Sequence, residues 1–147
     1  MASQYLEAVR LWVEEGFNRG TLDVVEHVFA QGCVSHNISS SAAERRGPEA
    51  EREWISATRA AFPDFHVSLE DTMLAGDKVI VRWLASGTQR GMWMGISPTG
   101  RHITWGGITF LRLMGSKIQE CWVAADTYHA TQQLGGMALA AQAGAIR

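Results

Sequence analysis

The chain has 147 residues, 46% of them hydrophobic and 19% charged, with a formal net charge of −2. That length supports one substantial hydrophobic core but not two, and the composition excludes widespread disorder. Basic residues are scattered rather than clustered, so there is no electrostatic footprint for a phosphate backbone and no nucleic-acid partner is expected.

Apolar stretches are broken by charge or glycine before the ~18 residues that a membrane span needs. The amino terminus reads as an amphipathic helix rather than a signal sequence, so a cytoplasmic location without a membrane partner is expected. Cys33 and Cys121 lack metal-ligand spacing and are expected to be reduced, buried thiols.

In chain order, Tyr5, Leu6, Val9, Trp12, Val13 and Phe17 recur at helical spacing, and Gly16 and Gly20 mark the end of that helix. Thr21 can cap a short second helix burying Leu22, Val25, Val28 and Phe29. A short extended piece then runs through His36 and Asn37 into an aperiodic loop, Ile38 to Gly47, which is expected to gate a pocket. Pro48 suits the first turn of a third helix that buries Ala50, Trp54, Ile55, Thr58 and Phe62 and stops before Pro63.

From Phe65 the chain becomes rich in Val, Ile, Trp, Phe and Thr, with extended segments expected at 65–75, 78–88, 91–96, 102–113 and 117–126. Glycine-containing turns separate them, giving a mostly antiparallel meander. A last short helix is expected from Tyr128 to Leu134, and the tail 136–147 is rich in Ala and Gly. Three helices followed by such a sheet predict an α+β domain, residues 1–135, whose helices cover one face of a strongly curved sheet.

Alternation along the last strand puts Trp122, Ala124, Asp126 and Tyr128 on one face, so a carboxylate ends an apolar row. If that face is a pocket, desolvation suits Asp126 to act as general acid or base. Asp126 can equally cap the helix that begins at Thr127. Arg82, in mid-strand, can orient Asp126, stabilise an enolate oxygen, or pair with a neighbouring carboxylate such as Asp71.

His36 and Asn37 can hydrogen-bond a substrate carbonyl or close a turn, and Gln89 can hold a substrate oxygen or satisfy the backbone. Met73, Trp83, Met92, Trp93, Met94, Trp105, Phe110 and Trp122 are numerous enough to line a pocket as well as a core. The histidines show no zinc spacing, and no metal is expected.

The runs Ala60-Ala61-Phe62-Pro63-Asp64, Gly76-Asp77-Lys78-Val79 with Arg82, Gly87-Thr88-Gln89-Arg90-Gly91, Met94 to Arg101, and Lys117 to Trp122 before Asp126 and Gln132-Gln133-Leu134-Gly135 resemble the SnoaL-like polyketide cyclases. The resemblance spans about residues 5 to 135. It implies a cone-shaped α+β barrel and a cyclase in which an Asp near the end of the last strand, here Asp126, is base and acid, with no cofactor. Where this family often has His after Gly-Thr, this chain has Gln89, which cannot titrate.

The expected activity is therefore intramolecular aldol cyclisation of a small hydrophobic, polyketide-like substrate, as in antibiotic biosynthesis. The alternatives are a hydroxylase, hydrolase or isomerase of a polycyclic substrate, or a non-catalytic binding module. The resemblance and an exposed sheet face together suggest a homodimer or homotetramer.

Overall fold

The computed structural model describes residues 2–38 and 44–135. The middle of the expected gating loop, 39–43, and the tail 136–147 lie outside the described residues.

Helix α1 (Ala2–Leu11) runs on as a wider π-helical segment (Trp12–Asn18), followed by α2 (Val24–Val28). Tyr5, Val9, Trp12, Val13 and Phe17 are buried as their spacing predicts, whereas Leu6 is 39% exposed. Gly16 does not end the helix: it is buried within the π-helical segment, where a Cβ would sit 3.3 Å from Ile55 Cδ1. The glycine is therefore a point of close helix packing rather than a stop signal.

Strand β1 (Phe29–Asn37) is a nine-residue element, longer than the sequence suggested, and the two-residue β2 (Arg45–Arg46) leads into α3 (Gly47–Ala61). Pro48 occupies the first turn and Phe62 ends the helix ahead of Pro63, where backbone restriction before proline stops propagation. The buried stripe of α3 is Pro48, Glu51, Ile55, Thr58 and Ala61. Trp54, expected inside, is 41% exposed, and the carboxylate at 51 is inside instead.

Strands β3 (His66–Ala75), β4 (Lys78–Thr88), β5 (His102–Met114) and β6 (Lys117–Ala125) form an antiparallel meander. With β1 added parallel to β6, the sheet has the order β2-β1-β6-β5-β4-β3. The expected strand at 91–96 is absent; the segment is a loop with a single bridge between Trp93 and Ile96. The sheet has two edges, β2 and β3, and does not close into a barrel.

Val79, Val81, Ala85, Ile103, Trp105, Leu111, Leu113, Ile118 and Cys121 are buried on the helix-covered face. Leu84, Ile108 and Phe110 point the other way and are exposed, as strand alternation requires. Phe62 contacts Trp93 and Trp105, both with ring centroids 5.2 Å apart, and closes one end of the core. Gly87 makes this possible, because a Cβ there would lie 2.8 Å from Phe62 Cβ. Helix α4 (Thr127–Gln133) then packs on β5, with the Gln133 side chain bonded to both backbone groups of Thr104.

Candidate functional site

Strand β6 ends at Ala125, and the Asp126 backbone N–H donates to Gly106 O at 2.9 Å. The Asp126 side chain starts α4: its Oδ1 accepts from the His129 N–H at 3.1 Å. Among the described residues Oδ2 has no hydrogen-bond partner. Asp126 is thus a helix cap, one of its two sequence readings, and it is exposed to solvent rather than desolvated. Capping engages one oxygen, holds the carboxylate in place, and leaves the other free to take a proton.

The carboxylate also borders an open trough of about 520 Å³. Register explains its composition: Arg82, Ile108 and Ala124 lie side by side across β4, β5 and β6, and Leu84 faces Gly106. Gly106 has no side chain to fill the space, the Trp83 ring packs over Gly107, and the lining continues with Asp126 and Glu70. Apolar walls with a carboxylate and a guanidinium at the rim suit a small hydrophobic molecule carrying a polar oxygen. This trough lies on the face that the helices leave bare.

Arg82 is exposed and opposite Asp71 in register. Among the described residues the two form no ion pair, so the structural pairing considered for Arg82 is not formed there.

The other expected binding residues are not in the trough. Gln89 is fully buried. Its amide donates to Gly91 O and Ile96 O, and its Oε1 accepts from the backbone and hydroxyl of Thr99. Every polar atom of Gln89 is spent on shaping the 90–101 loop, so it holds no substrate oxygen in this arrangement. Trp105 is core, and Met94 stands 56% exposed at a turn with φ 50°.

His36 lies between two carboxylates, Nδ1 2.8 Å from Glu44 and Nε2 2.6 Å from Glu120, with its ring stacked on Trp122 at 5.5 Å. Its hydrogen bond, more than the nearby Arg112, holds the Glu120 carboxyl below the usual range. Asn37 is paired in register with Val123 on β6. Both belong to the β1–β6 seam beside the trough, Asn37 facing Val123 next to Ala124 of the lining, but neither residue lines it.

The sequence reading missed a buried polar cluster. Glu51 is 1% exposed; its Oε1 accepts from Trp12 Nε1 at 3.1 Å, and Oε2 lies 3.5 Å from an Arg45 nitrogen. Burial pushes the Glu51 carboxyl above the usual range, against the lowering effect of Arg45 and Trp12. The Arg45 guanidinium stacks 4.4 Å from the Trp54 ring centroid, and its buried Nε has no partner among the described residues. Nearby, Ser35 Oγ and Cys121 Sγ are 2.9 Å apart, and burial raises the Cys121 thiol to about 12. The signal was present: 51, 55, 58 and 62 follow helical spacing, so the stripe through Ile55 contains Glu51 rather than Trp54.

Among the described residues, no group of three or more His, Cys, Asp or Glu side chains is arranged to hold a metal ion, and no helix is long and apolar enough to cross a membrane.

Comparison with known proteins places this architecture. The fold resembles IdmH from Streptomyces antibioticus, provisionally a polyketide cyclase, at 28% identity, with 90% of this chain and 99% of that chain covered and a TM-score of 0.77. A provisional SnoaL-like polyketide cyclase from Jannaschia sp. CCS1 is 23% identical over 90% of this chain and 92% of that chain, with a TM-score of 0.81. AclR from Streptomyces galilaeus, a provisional hydroxylase, is 23% identical over 92% of this chain and 97% of that chain, with a TM-score of 0.75. No curated protein matches the chain significantly. The family model described as SnoaL-like polyketide cyclase matches residues 7–134, nearly the whole described chain, and the chain therefore belongs to that family.

Proposed function

We infer that the chain is a cofactor-independent acid/base enzyme that closes a ring in a small hydrophobic, polyketide-like substrate by intramolecular aldol addition. The observation that carries this reading is the Asp126 carboxylate, fixed through Oδ1, on the same apolar-walled trough as Arg82, with Oδ2 and the guanidinium both without a partner among the described residues.

A methylene between a ketone and an ester is already acidic, and its enolate is delocalised within the substrate, so one positioned carboxylate suffices to begin. Asp126 Oδ2 takes the proton. The enolate carbon attacks a second carbonyl of the same chain, a carbon–carbon bond forms, and the resulting alkoxide regains the proton from Asp126. Arg82 steadies the negative oxygen as it develops. The walls formed by Leu84, Ile108 and Ala124 hold the two reacting ends together, and such orientation can contribute on the order of 7–11 kcal/mol in ideal cases.

The test uses an aryl β-keto ester in deuterated buffer, with NMR following deuterium entry at the activated methylene. Wild-type protein accelerates exchange above the buffer background. Asp126→Asn, which keeps a favoured capping residue, is expected to lose about 10²–10⁴-fold of that acceleration while remaining folded. Exchange at the wild-type rate in Asp126→Asn removes the proposed base. Labelled oxygen from water or O₂ in the product of a true substrate replaces cyclisation with hydrolysis or hydroxylation.

A further inference from the structure

Helix α4 begins from Asp126, and its seven residues fall well short of the ~12–15 that an isolated helix needs to persist in water. Few of its side chains are inside: Ala130 is buried within the helix and Leu134 just beyond it. Where the Asp126 carboxylate stands therefore depends on what ties α4 to the sheet.

Strand register shows the tie. The β5–β6 ladder ends with Gly107 facing Ala125, and one position further Asp126 adds a last bond, its N–H donating to Gly106 O at 2.9 Å. Hydrogen-bonding positions in an antiparallel pair recur at every second residue, so the next would join Thr104 to residue 128. By then the chain has turned into α4, and both backbone groups of Thr104 face no strand. The Gln133 side chain takes that place. Its Oε1 accepts from the Thr104 N–H at 3.0 Å, and its Nε2 donates to Thr104 O at 2.7 Å. A side-chain amide offers a donor and an acceptor as a peptide group does, and residue 133 lies about two helical turns after Asp126, on the same side of α4.

The amide also reaches the carboxylate. Gln133 Nε2 donates to His129 O at 3.1 Å, and the His129 N–H donates to Asp126 Oδ1 at 3.1 Å. One hydrogen-bonded chain thus runs from Thr104 through Gln133 and His129 to Asp126, which returns to β5 at Gly106. Arg101 steadies the far end, its Nη1 donating to Gln133 O at 3.1 Å, where a cation suits the carbonyl end of a helix.

We propose that Gln133 is a positioning residue for the Asp126 carboxylate: by standing in for the missing strand residue opposite Thr104, it clamps α4 to β5 and fixes where Oδ2 meets the trough. Without the clamp α4 is free to tilt about Gly106, and a displacement of about 1 Å at a reacting group can cost on the order of 10²-fold in rate. What the positioned carboxylate does rests on the acid/base reading above; the clamp itself does not.

The experiment measures deuterium entry into the aryl β-keto ester over a range of ester concentrations, together with NMR hydrogen exchange of the protein's own amides. Gln133→Met keeps the length of the side chain and removes its three hydrogen bonds. It is expected to fold as wild type by circular dichroism and to lose about 10–100-fold in kcat with KM within about twofold, because the trough walls are untouched and only the base is displaced. The His129 and Ala130 amides, which donate to the side chain and the carbonyl of Asp126, are expected to exchange about 10-fold faster, with Leu111 and Leu113 on β5 unchanged. Gln133→Ala replaces the methionine variant should that one not fold.

Two controls separate positioning from mere support. A protonated carboxyl again offers Thr104 one donor and one acceptor, so in Gln133→Glu the lost protection is expected to return, relative to wild type, as pH falls through the carboxylate range. In an Asp126→Asn background, Gln133→Met is expected to change kcat by less than about twofold, since it acts through the carboxylate.

Wild-type kcat and wild-type protection of His129 and Ala130 in Gln133→Met overturn the proposal. So does an equal kcat loss in the Asp126→Asn background, or faster exchange spread through β5, either of which makes Gln133 a support of the fold alone. A wild type that never accelerates deuterium entry defeats the acid/base reading. Loss of protection confined to α4 in Gln133→Met then still sustains the clamp, and unchanged protection still overturns it.

Discussion

Glu51 offers the sharpest test of how the interior is held together. Its carboxyl accepts the Trp12 indole N–H and lies beside Arg45, whose side chain is itself only 19% exposed. In Glu51→Ala, the guanidinium and the indole N–H both remain inside without an acceptor. Breaking a buried pair by removing one partner costs about 3–5 kcal/mol. At about 2.1 cal/mol/K per residue, the unfolding entropy of 147 residues is roughly 0.3 kcal/mol/K, so that loss lowers the melting temperature by about 10–16 °C.

Replacing both partners, Arg45→Met with Glu51→Leu, is expected to recover a large part of the loss, because the guanidinium is no longer stranded and only the Trp12 indole N–H still lacks its acceptor. Calorimetry and urea titration at pH 7 make the comparison. A cost below about 1 kcal/mol for the single variant, or a double variant as unstable as the single, refutes the reasoning.

The sign of the pH dependence adds a second reading of the same group. Burial raises the Glu51 carboxyl above the usual carboxylate range, so the folded state holds this proton more tightly than the unfolded chain does. The stability it contributes is fully present below the unfolded value and is lost as pH rises through the folded one. Glu51→Gln is expected to remove that decline from the stability profile, and an unchanged profile assigns it to other groups.

Two further outcomes follow from packing. Gly87→Ala forces a methyl against Phe62, and the overpacking is expected to cost about 1–3 kcal/mol in urea titration; no loss means that the Phe62 end of the core is slack. Cys33 and Cys121 are buried thiols whose pKa values burial raises, Cys121 to about 12. Neither should react with a thiol reagent at pH 8 until the chain is unfolded, and prompt reaction of the native protein contradicts their burial.

Much of the fold was legible because local chemistry dictates it. The apolar spacing of Tyr5 to Phe17, Pro48 inside α3, Pro63 beyond it, and β-rich segments parted by Gly76-Asp77 and Gly115-Ser116 each act over a few residues. The same holds for Asp126 as a helix cap, a bond that spans three residues. Failures came where a local pattern had more than one tertiary use. Gly16 resembles a stop and serves a close helix contact, and 91–96 has strand composition but bends back on itself around the buried Gln89.

The sequence by itself determined the α+β class, the leading helices and the four long strands of the meander, the family, and the placing of a carboxylate at the end of an apolar strand. Only the tertiary structure decided which face of that strand the helices would cover, that Gln89 and His36 would be consumed by structural bonds, and that the interior carboxyl would be Glu51. Alternation tells which side chains share a face but not what lies opposite, because that depends on contacts between residues far apart in the chain. Trp12 and Glu51, separated by 39 positions and joined by one buried hydrogen bond, meet only when the helices are packed.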